Sequence, residues 1–166
     1  MGLTYDQVHR QTAGANELLS VRIGTQEFAL NIKAIREIRG WTASTPLAHA
    51  PVYIKGVINL RGAVLTIVDL ANRLGLPSTE PNAASVIVVV ENGDQVAGLL
   101  VDAVCEIFTV TDEMRKATPH AGAGAARTFI EDLIMMDDRI ISVVSIPAIM
   151  PDASPDAVAE TPLKAA

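Results

Sequence analysis

The sequence predicts a mainly β protein built from two small barrels with a few short helices. Three observations carry this. Short apolar runs, many of them rich in Val and Ile, are separated by turn residues at close spacing, the pattern of an all-β chain. Hydrophobic residues make up 49% of the 166 positions but aromatics only 4%, so the core must be built from Val, Ile, Leu and Ala. Pro77-Ser-Thr-Glu-Pro81 breaks the chain into halves of similar size, each with enough strands for one barrel. The expected organisation is a flexible lead-in over 1–16, a first barrel over 17–81, a second over 82–150, and a disordered tail over 151–166 rich in Pro, Ala and acids. No sequence repeat at a fixed period is present.

Leu19, Val21 and Ile23 alternate with Ser20 and Arg22, which predicts a half-buried strand. Gly24-Thr25 turns the chain, and Phe28 and Leu30 continue the alternation. Asn31 is a helix N-cap candidate, and Ile32, Ile35 and Ile38 recur at helical spacing up to Gly40. That spacing predicts a short helix plugging a barrel end, with Lys33 and Glu37 on its polar face. Trp41–Pro51 is a loop or short strand. Val86–Val90 is uninterrupted and apolar, hence a strand buried on both faces, and Asn92-Gly93 turns it back into Val96–Val101. Val104–Val110 is a further strand in which Cys105 is expected buried and inert, and Thr111–Met114 starts a short helical turn. After a glycine-bearing loop at Pro119–Ala126, Phe129–Met136 and Arg139–Val144 form a last hairpin turning at Asp137-Asp138. Ile146–Met150 reads as a terminal helical turn.

The stretch Tyr53–Leu74 organises the rest. Val57–Leu60 and Val64–Val68 are two strands joined at Arg61-Gly62, with Gly62 supplying the positive φ of a tight hairpin. Gly56 admits a close backbone neighbour, and Asp69 caps a short helix that Gly75 ends. Arg61 is held outward on a rigid turn. Two roles fit it equally from pattern: a protein interface, where the planar guanidinium pairs carboxylates, or an internal salt bridge to Glu37 or Asp69.

Other chemistry finds little support. A net charge of −6 without a basic cluster makes a poor nucleic-acid or anionic-membrane binder. No apolar run approaches the ~20 residues of a membrane helix, and no basic-then-apolar leader opens the chain. His9, His49 and His120 are dispersed, so no metal site is expected. The single cysteine excludes an internal disulfide. No nucleophile elbow, kinase signature or phosphate loop is present, and no cofactor is expected.

The run Ile54-Lys-Gly-Val-Ile-Asn-Leu-Arg-Gly62, followed by Ile67-Val-Asp-Leu70, resembles the core signature of the CheW family of chemotaxis coupling proteins. The likeness extends from about Leu18 to Met150 and includes Ile35–Gly40, Leu100–Val104 and Phe129–Ile149. Thr66 stands where many members carry proline, and Asp102-Ala103 where Asp-Glu is common. The resemblance implies two five-stranded SH3-like β-barrel subdomains sharing a core. It implies a cytoplasmic, non-catalytic adaptor at membrane-bound receptor arrays, without membrane insertion. Its partners would be the cytoplasmic tip of methyl-accepting chemoreceptors and the regulatory domain of the chemotaxis histidine kinase. By position, Ile35, Glu37 and Ile38 match the receptor groove, and Gly56 and Arg61 match positions implicated in coupling. Further groove residues are expected from the Val86–Val101 hairpin. The alternatives are a regulatory module severed from a kinase, and a small enzyme or ligand-binding protein using the cleft between subdomains.

Overall fold

The alternating Leu19, Val21 and Ile23 build β1 (Glu17–Ile23), which turns at Gly24 into β2 (Gln26–Asn31). A single 3₁₀ turn (Ile32–Ala34) leads to β3 (Ile35–Gly40). The hairpin β4 (Ile54–Leu60) and β5 (Ala63–Asp69) runs into α1 (Leu70–Arg73). Then come β6 (Val86–Asn92), β7 (Gln95–Val101), β8 (Ala103–Thr109), a 3₁₀ turn (Asp112–Met114) and β9 (Arg115–Lys116). The chain closes with β10 (Ile130–Met136), β11 (Arg139–Val144) and α2 (Ile146–Ile149). The computed structural model describes residues 16–78, 80–116 and 129–151. The expected lead-in, the 119–126 loop and the tail lie outside the described residues, apart from Asn16 and Pro151.

The strands form a six-stranded sheet, ordered β8-β1-β2-β11-β10-β9, and a five-stranded sheet, ordered β3-β6-β7-β5-β4. All neighbours are antiparallel except β2–β11 and β5–β7, which are parallel. Each sheet therefore draws strands from both sides of the Pro77–Pro81 break. The expected contiguous barrels over 17–81 and 82–150 do not correspond to how the strands are shared. Local turn signals mark where the chain bends, whereas pairing is decided by which apolar faces must be covered.

Three apolar layers result. Ile58, Leu65, Ile67, Ile87, Val89 and Leu100 fill the interior of the five-stranded unit. Leu18, Ala29, Ile134, Ile141 and Val143 fill that of the six-stranded unit. Between the sheets lie Leu19, Val21, Phe28, Leu30, Val68, Val88, Val90, Leu99 and Val101. The uninterrupted Val86–Val90 run is thereby explained. Ile87 and Val89 face one core and Val88 and Val90 the other, so each side of the strand needs apolar residues.

Two expectations are corrected. Helix over the Ile32–Ile38 stripe is confined to the 3₁₀ turn, where the Asn31 side chain accepts from the Lys33 amide at 2.9 Å. Beyond it the chain is β3, with a bulge between Ile35 and Glu37 against β6. The bulge inserts one residue into the alternation, so Ile35 and Ile38 share a face although they are three apart. A turn followed by a bulged strand thus imitates helical spacing. Cys105 is exposed, not buried. It lies on β8, the edge of its sheet, where burial is patchy. The Asp137-Asp138 turn is as expected, with Asp137 at φ 57°. No helix among the described residues is long and apolar enough to cross a membrane.

Candidate functional site

The β4–β5 hairpin turns through Arg61 (φ 53°) and Gly62 (φ 88°). Positive φ at both central residues matches the twist of the flanking strands. Asn59 supports the turn, its side-chain oxygen accepting from the Gly62 amide at 2.8 Å. Arg61 is thereby aimed across the mouth of the five-stranded unit, where its Nη2 meets Glu37 Oε2 at 2.5 Å. Of the two acids weighed as partners, the other, Asp69, is buried at 2% and caps α1 through the Asn72 amide.

This ion pair joins opposite margins of the sheet. β3, which carries Glu37, and β4, which leads into Arg61, are its two edge strands. In a flat sheet, edges this many strands apart are separated by about 15–20 Å, beyond the combined reach of the two side chains. Their contact requires the sheet to be rolled until its edges face each other. Arg61–Glu37 is the clasp across that gap.

Beneath the clasp opens a groove of about 520 Å³ lined by Arg36, Glu37, Leu60, Arg61, Ala63, Val64, Leu65, Val89 and Val96. Its floor is the end of the apolar core, and its rim carries the charges. Val64 stands 77% exposed beside the turn, a large apolar side chain with nothing covering it. Arg39 Nη1 lies 4.0 Å from Glu37 Oε1, so the carboxylate sits between two guanidinium groups.

The five expected site residues divide by accessibility. Arg61 has a side chain 69% exposed and Glu37 one that is 16% exposed. Ile38 is half-buried against the inter-sheet core. Ile35 is buried at 1% in that core and reaches no surface. Gly56 is buried too, with φ 148°, and a β-carbon there would lie 2.5 Å from the Thr45 carbonyl oxygen. Thr45 and Val57 exchange backbone hydrogen bonds of 2.8 and 2.9 Å, so the 41–53 loop covers part of the free edge of β4. Gly56 thus permits the close backbone approach expected of it. Arg61 and Glu37 come together, Ile35 and Gly56 lie beneath the surface, and Ile38 packs on the opposite face of β3. Sequence reasoning missed Arg36, Arg39, Leu60 and Val64. Only Val64 left a signal, an apolar residue out of phase with its buried neighbours Leu65 and Ile67.

A family model for the CheW-like domain matches residues 17–154. The chain is 46% identical over 146 residues to "Chemotaxis protein CheW" of Rhizobium meliloti (strain 1021), covering 88% of this chain and 94% of the relative. The chain belongs to the CheW-like family. A more distant member, the CheW protein of Klebsiella aerogenes, is 29% identical over 143 residues, 86% of each chain. The crystal structure of the scaffolding protein TtCheW from Thermoanaerobacter tengcongensis superposes with a TM-score of 0.73 at 26% identity, covering 80% of this chain and 90% of that one. The two-sheet architecture is therefore that of a CheW-like fold. The Asn59-Leu-Arg-Gly62 turn, which carries the resemblance in sequence, is also the turn that supplies the clasp.

Proposed function

We propose that this chain is a non-catalytic chemotaxis adaptor that couples chemoreceptors to the chemotaxis histidine kinase. In this reading it binds the cytoplasmic tip of the receptor and the regulatory domain of the kinase, and so controls kinase activity at membrane-associated receptor arrays. The observation that carries the reading is the rigid Arg61 turn beside a charged-rimmed apolar groove, in a chain whose relatives are named chemotaxis proteins. An exposed arginine next to an uncovered valine is the composition of an interface centre with a polar rim. Ile35, Ile38 and Gly56 act here from behind, by holding β3 and β4 in place, while Glu37 and Arg61 present the contact.

The test is titration of the purified chain with a receptor cytoplasmic fragment and with the kinase regulatory domain, separately and together. Binding to both, with receptor-dependent kinase activation that requires this chain, is the expected outcome. A well-folded sample that binds neither would overturn the reading.

A further inference from the structure

We propose that Arg73 is a latch that sets the position of the C-terminal segment of the six-stranded unit on the five-stranded unit. Its guanidinium carbon lies 3.9 Å from the centroid of the Tyr53 ring and 4.9 Å from that of Phe129. Tyr53 leads into β4, and its carbonyl accepts from the Asp69 amide at 2.8 Å, which makes it part of the five-stranded unit. Phe129 leads into β10, and its carbonyl accepts from the Ser145 amide at 2.7 Å, just before α2. Arg73 Nη2 also donates to the Ala148 carbonyl of α2 at 3.4 Å. One cation on α1 therefore touches both units at once.

The electrostatics favour a positional role. Among the described residues no ion pair involves Arg73. Its Nε is buried without a hydrogen-bond partner, and so is the Tyr53 hydroxyl. A half-desolvated guanidinium without a carboxylate is costly unless something else offsets its charge, and two ring faces with a backbone carbonyl do so here. The surrounding inter-sheet core is apolar, and apolar contact is non-directional. A planar cation between two rings adds the angular preference that the core lacks. The latch stands independently of the adaptor reading. Under that reading it would keep surfaces on the two units in fixed relation.

Amide hydrogen exchange on the full chain tests this with Arg73→Met, Arg73→Lys and Phe129→Leu. In Arg73→Met, the amides of Ile130, Ser145, Ala148 and Ile149 should exchange about tenfold faster, with those of Val88–Val90 and Leu99 unchanged. Arg73→Lys keeps the charge but not the planar stack and should loosen the same segment. Phe129→Leu should do likewise, and combining it with Arg73→Met should add nothing further. Unchanged exchange at Ser145, Ala148 and Ile149 would overturn the latch. So would equal acceleration at Val88–Val90, because Arg73 would then support global stability and not position. If Arg73→Met fails to fold, Phe129→Leu decides by the same two criteria.

Discussion

Replacing Arg61 with alanine separates the two roles that the residue type allows. The Arg61 side chain is 69% exposed and that of Glu37 16%, so solvent screens the pair. Ion pairs of that exposure contribute about 0.2–1 kcal/mol. Arg39, 4.0 Å from the same carboxylate, leaves Glu37 with a cation after the substitution. Alanine at φ 53° keeps the left-handed strain that arginine already bears, so the backbone adds little. Arg61→Ala should therefore lower Tm by about 2–4 °C at most. An interface hot spot is larger, about 2 kcal/mol or more, or roughly 30-fold in Kd. The assay pairs thermal unfolding with titration against the receptor fragment and the kinase regulatory domain. Arg61→Asn is the control, because asparagine tolerates positive φ. It should match or exceed the alanine variant in stability while losing the same affinity. A Kd within twofold of the parent's would refute the interface role. A fall in Tm beyond about 8 °C would refute the screening argument and make the clasp chiefly a structural lock.

Gly56→Ala should destabilise by roughly 2–3 kcal/mol in urea unfolding, since its β-carbon would meet the Thr45 carbonyl oxygen at 2.5 Å and φ is 148°. A cost below ~0.5 kcal/mol would mean that the 41–53 loop yields freely. Gly98→Ala should cost roughly 1–3 kcal/mol by overpacking, because the new carbon would lie 2.8 Å from both Ile67 Cδ1 and Ile87 Cγ2. Glu131 is exposed, but partial desolvation, then the neighbouring Asp132, raise its carboxyl above the ordinary value, with Arg115 opposing. A carboxyl raised in the folded state favours folding below its unfolded pKa, and that contribution is lost as pH rises through the folded value. Glu131→Gln should hence stabilise the chain slightly at neutral pH, since solvent screens an exposed carboxylate, with the difference vanishing in acid. Equal Tm differences at both pH values would contradict this.

Much of the fold was legible because its signals are short-range. Arg61-Gly62, Asp137-Asp138 and the Asn31 and Asp69 caps depend on a few adjacent residues, and all four form as expected. The failures have one cause in common. The Ile32–Ile38 stripe read as a helix because a bulge changes phase without leaving a mark in composition. Cys105 read as buried because an apolar strand does not reveal whether it lies at the centre or the edge of a sheet. At the site, Arg61 was visible as an outward cation, but the choice between Glu37 and Asp69 was not. Asp69 is nearer in sequence, yet its carboxylate is committed to the Asn72 amide.

That the chain is β-rich, where its hairpins turn, that its core is aliphatic, and which family its signature resembles can all be read from the order of residues. Those properties follow from backbone preference and apolar patterning within a window of a few residues. That each sheet takes strands from both halves, that the sheet margins meet at Arg61 and Glu37, and that Arg73 packs on two rings emerge with the folded chain. These contacts span separations of 24 residues for the clasp and 75 for Arg73 to Ala148. At such range no local preference acts. Partners are chosen by the need to cover both faces of each central strand, which can be met only when the whole chain is assembled.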